Sequence, residues 1–184
     1  MVNKSIPLNI FLDTEFSKLP WEKDSSLLSI GLYTEKGDSY YAVIDSLGSV
    51  EMSPFVKDNV LPYLIKEPER KSSTQISHDI EKLLEDYSNL QFWAQFPKKD
   101  WLLNFGFNEK EVESIYTKYA NWDFQLFKKL WEILPQKFDV KCNNITTLIA
   151  RLPKESFPKN NQLHHALADA KWNYEVWHLS INLN

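Results

Sequence analysis

The chain has 184 residues, 43% hydrophobic and 25% charged, with a formal net charge of -4. That length and balance suit one domain with its own core, over 1–184, and exclude both a disordered chain and a binder that grips nucleic acid by bulk positive charge. With only 4 Gly there is no G-x-G-x-x-G or Walker-type loop, and the single Cys142 excludes an internal disulfide or a cysteine-based zinc site.

In chain order, residues 7–12 predict a first strand, followed by a polar connection over 17–24. Residues 27–33 and 39–44 predict two more strands, the last rich in Tyr and β-branched residues. Glu35-Lys36-Gly37-Asp38 supplies a turn with Gly available for positive φ. Short connections between the three predict an antiparallel meander. Residues 45–54 read as irregular, 55–64 as a segment in which Pro62 limits any helix, and 66–73 as a charged loop. Ser72, Ser73 or Thr74 caps a helix running to Tyr87, with Ile76, Ile80, Leu83, Leu84 and Tyr87 on one face. Residues 90–95 predict a buried strand, and 98–105 a helix that Gly106 stops. Residues 108–122 read as partly helical, Asp123 as the cap of a helix to Ile133, 146–152 as a short helix, and 165–181 as the final helix. The whole reads as α/β with a mixed central sheet: three antiparallel strands, then parallel pairing, flanked by helices. The opening residues 1–8 lack the apolar core of a signal peptide, and no run of about 18 apolar residues exists to cross a membrane. A soluble, cytoplasmic protein with no membrane partner is therefore expected.

The chemistry gathers around Ile10-Phe11-Leu12-Asp13-Thr14-Glu15-Phe16, an apolar strand that ends in two carboxylates. Side chains alternate along a strand, so Asp13 and Glu15 share a face while Thr14 points away. Like charges on one face repel, and a divalent ion between them removes the conflict. Alone, an Asp-x-Glu is more often a solvated strand end. Two distant segments add partners: Asp100 at a helix start after the 90–95 strand, and His164-His165-Ala166-Leu167-Ala168-Asp169 at the entrance to the last helix. Four carboxylates and a His suit two-metal phosphodiester hydrolysis, with the His as proton acceptor.

In this order and spacing, Asp13-x-Glu15, Asp100 and His164-x4-Asp169 resemble the DEDD (DnaQ-like) 3'-5' exonuclease superfamily in its His-containing branch. Asp13-Thr14-Glu15-Phe16 is closest to its compact 3'-5' exoribonuclease subfamily. The resemblance continues through Leu28-Ser29-Ile30-Gly31, Tyr40-Tyr41-Ala42-Val43, residues 55–62 and Phe92-Trp93-Ala94. It implies a ribonuclease H-like fold, two Mg2+ or Mn2+ ions, and release of nucleoside monophosphates from the 3' end of single-stranded nucleic acid, RNA before DNA. It also implies a homodimer, the form the family often takes. By position, Asp13 would bridge both ions and Glu15, Asp100 and Asp169 would complete their shells. His164 would be the base, and His165, one helical turn from Asp169, is the competing choice. Thr14, Phe16, Lys98, Lys99 and Trp101 are candidate substrate contacts. The lysines read equally well as solvated helix-start residues, and Phe16 and Trp101 as core.

One departure bears on Asp100. The family carries small residues and Tyr before its second-motif Asp, whereas Pro97-Lys98-Lys99 stand here. Asp123 also occupies a helix start where the family tends to place Asp, and it reads as a cap that could also support the metal ligands from behind. Two other functions stay open: a non-catalytic nucleic-acid-binding or adaptor module on the same fold, and a hydrolase of very short oligonucleotides or small nucleotides, which the modest net charge suits.

Overall fold

The computed structural model describes residues 7–67 and 69–182. Three strands, β1 (Leu8–Phe16), β2 (Leu27–Thr34) and β3 (Ser39–Ile44), form the expected antiparallel meander. Gly37 takes the positive φ that the β2–β3 turn needs. α1 (Pro54–Asn59) and α2 (Leu61–Leu64) follow, with Pro62 in the first turn of α2, where its missing N–H leaves no bond unmade. The segment read as a charged loop contributes β4 (Arg70–Lys71), a short strand parallel to β3. Its side chains carry no strand signal, so pairing with β3 decides it.

α3 (Ser73–Leu83) begins at a capping box between Ser72 and Gln75. β5 (Leu90–Ala94) then pairs parallel to β1. α4 (Lys99–Asn104), α5 (Glu109–Tyr119) and α6 (Trp122–Lys128) form the next layer. β6 (Cys142–Asn144) adds a parallel edge that its polar sequence hides. α7 (Thr146–Ile149) and the long α8 (Ala166–Asn182) complete the chain. The sheet order is β4-β3-β2-β1-β5-β6, so β1 lies in the interior, where antiparallel pairing changes to parallel.

The sheet has two apolar faces. Leu8, Ile10 and Leu12 of β1 face a core shared with Ile76, Ile80, Phe124 and Phe127. Phe11 points the other way, to Val176 of α8. Along α8 the buried residues Ala166, Ala170, Asn173, Val176 and Ser180 recur at helical spacing and form the face laid on the sheet. The first turn of α8 sits on β2 at Gly31, where a Cβ would fall 2.3 Å from the Ala166 carbonyl carbon. Glycine is needed there for that approach. Because Gly31 is the register partner of Asp13, the contact brings the start of α8 beside the acidic end of β1.

Residues 1–6 lie outside the described residues, so the reading of the opening residues as lacking a signal peptide falls mostly outside them. Among the described residues no helix is long and apolar enough to cross a membrane.

Candidate active site

β5 pairs with β1 only as far as Phe11, so the last residues of β1 have no strand neighbour on that side. The β1–β2 register also shifts between Glu15 and Phe16, which ends regular pairing. The strand end thereby opens into a cavity of about 550 Å3. Upstream, the Asn173 side-chain amide donates to the Leu12 carbonyl at 3.3 Å and ties β1 to α8 just before Asp13.

Asp13 and Glu15 point to the α8 side, where Asp169 in the first turn of α8 meets them. Each of the three offers a carboxylate oxygen within 4.8 Å of the others. A fourth carboxylate comes from Asp123, at the start of α6. Its Oδ1 accepts from the Thr14 N–H at 3.2 Å and from the Thr14 hydroxyl at 2.6 Å. Asp123 thus takes the place of a neighbouring strand for Thr14, and it lines the same cavity as Asp13, Glu15 and Asp169.

Crowding and burial shape the charge of the group. Burial, then the charges of Asp123, Asp169 and Glu15, hold the Asp13 carboxyl well above its usual range. Glu15 is pushed up to about 8 by burial and by Asp169 and Asp123. Asp123 is pushed up to about 6 by burial, against the pull of the Thr14 hydrogen bonds. Asp169 is raised by burial, although hydrogen bonds from Asn160 Nδ2 and from the His164 N–H at 3.0 Å oppose the shift. Among the described residues no Lys or Arg forms an ion pair with any of the four. Such a set ionises together only when a cation joins it, and hard carboxylate oxygens on a rigid strand and helix fit a divalent metal.

The two histidines differ. His164 lies before α8 with φ of 65°, and its ring lines the cavity, edge-on to Phe55 at 5.1 Å. His165 is absent from the cavity lining and stacks on Tyr41 at 4.4 Å, its Nδ1 buried with no hydrogen-bond partner among the described residues.

Asp100 is not brought to the cluster. It is exposed on α4 and outside the cavity lining, because Leu102 is the residue that the six-residue helix buries, and Trp101 and Leu102 face the cavity while Asp100 does not. Asp123 lines the cavity with the other carboxylates instead, and Tyr119-Ala120, a few residues before it, supply the Tyr and small residue missing before Asp100. That was the signal available in the sequence. Of the candidate substrate contacts, Thr14, Phe16, Lys98 and Trp101 line the cavity. Thr14 is buried, with its hydroxyl committed to Asp123. Lys99 bonds to Glu113 and lies over the Tyr116 ring at 4.9 Å, outside the lining. Asn160 and Asn173 had no sequence signal, since an isolated Asn in a polar loop or a helix reveals no partner.

No protein-family model matches the chain, and no curated relative does. Among solved structures it is similar to the nuclease domain of 3'hExo, a DEDDh family member bound to rAMP. The TM-score is 0.65 at 10% identity, over 98% of this chain and 94% of that one. The likeness covers nearly the whole chain, which therefore shares the mixed α/β, ribonuclease H-like fold of that nuclease domain, and the Asp13, Glu15 and Asp169 carboxylates converge at the end of β1 within it.

Proposed function

We propose that the chain is a metal-dependent 3'-5' exonuclease, an exoribonuclease first, that releases nucleoside monophosphates from single-stranded 3' ends. The observation that carries the reading is the convergence of Asp13, Glu15, Asp123 and Asp169 with His164 on one cavity, with no Lys or Arg paired to the carboxylates among the described residues. Asp13, Glu15 and Asp169 would hold a first divalent ion, and Asp123, in place of Asp100, would complete the shell for a second; Mg2+ or Mn2+ at these residues would supply charge stabilisation for the oxygens of the phosphodiester. His164 removes the proton from the attacking water, its cavity position favouring it over His165. A neutral imidazole at that position can accept the proton. Phe16 packs against the terminal base, and Lys98 faces the scissile phosphate. The ribonucleotide preference draws support from the rAMP bound to the similar nuclease domain.

A single observation favours a narrower substrate range. Lys98 is the only Lys or Arg lining the cavity among the described residues, which suits short strands better than long ones held by a basic track. The test of the main reading is hydrolysis of 5'-labelled RNA and DNA single strands with Mg2+ or Mn2+. Wild type is expected to shorten strands from the 3' end. Asp13→Ala, Asp123→Ala and His164→Ala are expected to lose at least about 100-fold, the lower range of general acid–base effects, while Asp100→Ala retains activity. Equal inertness of wild type and Asp13→Ala in both metals removes the reading.

A further inference from the structure

At the mouth of the cavity four rings from three segments meet. Trp21 comes from the β1–β2 connection, Trp101 from α4, and Phe105 and Phe107 from the turn after it. Their contacting centroids lie between 5.4 and 6.4 Å apart. Gly106, at φ of 102°, reverses the chain after α4 so that Phe107 lies parallel to Phe105 within 11°. Rings gathered only for packing would be covered by one another, yet Trp101 is 42% and Phe105 55% exposed. Trp21 and Trp101 belong to the cavity wall as well, so the open rings continue the surface that begins at the carboxylates.

On the exonuclease reading, a strand whose 3' end reaches the carboxylates passes Trp21 and Trp101 of the cavity wall on its way out. Its phosphates meet little positive charge there: Lys98 is the only Lys or Arg in the lining among the described residues, Lys99 is engaged by Glu113, and the chain carries a net charge of -4. Its bases meet exposed rings. Base–aromatic stacking is sequence-tolerant, because every base has a π-face, and adds affinity base by base.

We propose that Trp21, Trp101, Phe105 and Phe107 form a stacking platform for the bases next to the 3'-terminal nucleotide of a single strand. The platform sets affinity by strand length rather than by phosphate charge. This deepens the exonuclease reading and rests on it for the direction of the strand.

Binding is measured apart from turnover, by fluorescence anisotropy of a 5'-labelled single strand on the Asp13→Ala protein, with Phe105→Ala and Phe105→Tyr added to it. Phe105→Ala is expected to weaken binding about tenfold, the effect of losing one stacked base. Phe105→Tyr is expected to restore it, and a labelled dinucleotide is expected to be less sensitive than the longer strand. Unchanged strand affinity in a Phe105→Ala protein with the parent melting temperature overturns the platform. So does a change from dimer to monomer on that substitution in light scattering, because the rings would then serve a second copy of the chain. Failure of wild type to cut any strand removes the exonuclease reading instead, and the anisotropy result still stands or falls separately.

Discussion

Thr14 links two parts of the acidic site that the chain keeps more than a hundred positions apart. Its N–H and hydroxyl both reach Asp123 Oδ1, so the residue that points away from Asp13 and Glu15 fixes the fourth carboxylate. Thr14→Val keeps the shape and removes the hydroxyl bond. We expect it to weaken Mn2+ affinity about tenfold, the lower range for groups that orient a metal ligand, and to lower stability by about 1 kcal/mol. Calorimetric titration and thermal melts measure both. Glu15 gives a pH signature. Its carboxyl is raised from 4.5 to about 8 in the folded, metal-free protein, so between those values the native state holds more protons than the unfolded one. Stability from this group is present at low pH and is lost as pH rises through that window. The metal-free melting temperature is therefore expected to fall from about pH 5 to about pH 8, less steeply in Glu15→Gln or with saturating Mg2+. An equal slope in all three samples contradicts the assigned charge conflict. At this scale Asp13, Glu15, His164 and Asp169 were legible because strand alternation and helix-entrance spacing are local. Asp123 was legible only in part, since a carboxylate at a helix start has the same sequence signature whether it caps the helix or reaches across to a strand.

The elements that make the site are β1 and α8, and their junction is Gly31. The Ala166 backbone occupies the space where a Cβ would stand. Gly31→Ala has no flexible side chain to displace, so it must move either β2 or the first turn of α8, which carries Asp169. We expect a loss of about 3 kcal/mol, the upper range for overpacking, and disproportionate loss of metal binding, read by denaturant unfolding beside Mn2+ titration. Retention of wild-type stability contradicts the close approach. Long periodic elements such as α3 and α8 were legible in the sequence within a few residues. The short ones were not: β4 and β6, of two and three residues, are polar and exist because a neighbouring strand offers a ladder. Tertiary pairing overrides local propensity there. α4 is a further case: Asp100 was correctly placed at a helix start, but a six-residue helix with one buried residue does not reveal from sequence which side faces the cavity.

At the scale of the molecule, the sheet changes from antiparallel to parallel at β1, which leaves the C-terminal end of that strand without a β5 neighbour beyond Phe11. Helices from distant parts of the chain fill the gap with Asp123 and Asp169, and the aromatic mouth closes one side. The mixed α/β architecture was legible from element order, and the likeness to a DEDDh nuclease domain over 98% of the chain agrees with it at 10% identity. We propose that Asp13, Glu15, Asp123 and Asp169 form one divalent-metal centre. Calorimetric titration of the metal-free protein with Mn2+, in wild type, Asp123→Asn and Asp100→Asn, is the decisive measurement. Saturable binding of a pair of ions is expected in wild type and in Asp100→Asn, and loss of one ion or at least about tenfold weaker binding in Asp123→Asn. Absence of saturable binding in wild type, or an Asp100→Asn defect as large as that of Asp123→Asn, would contradict it.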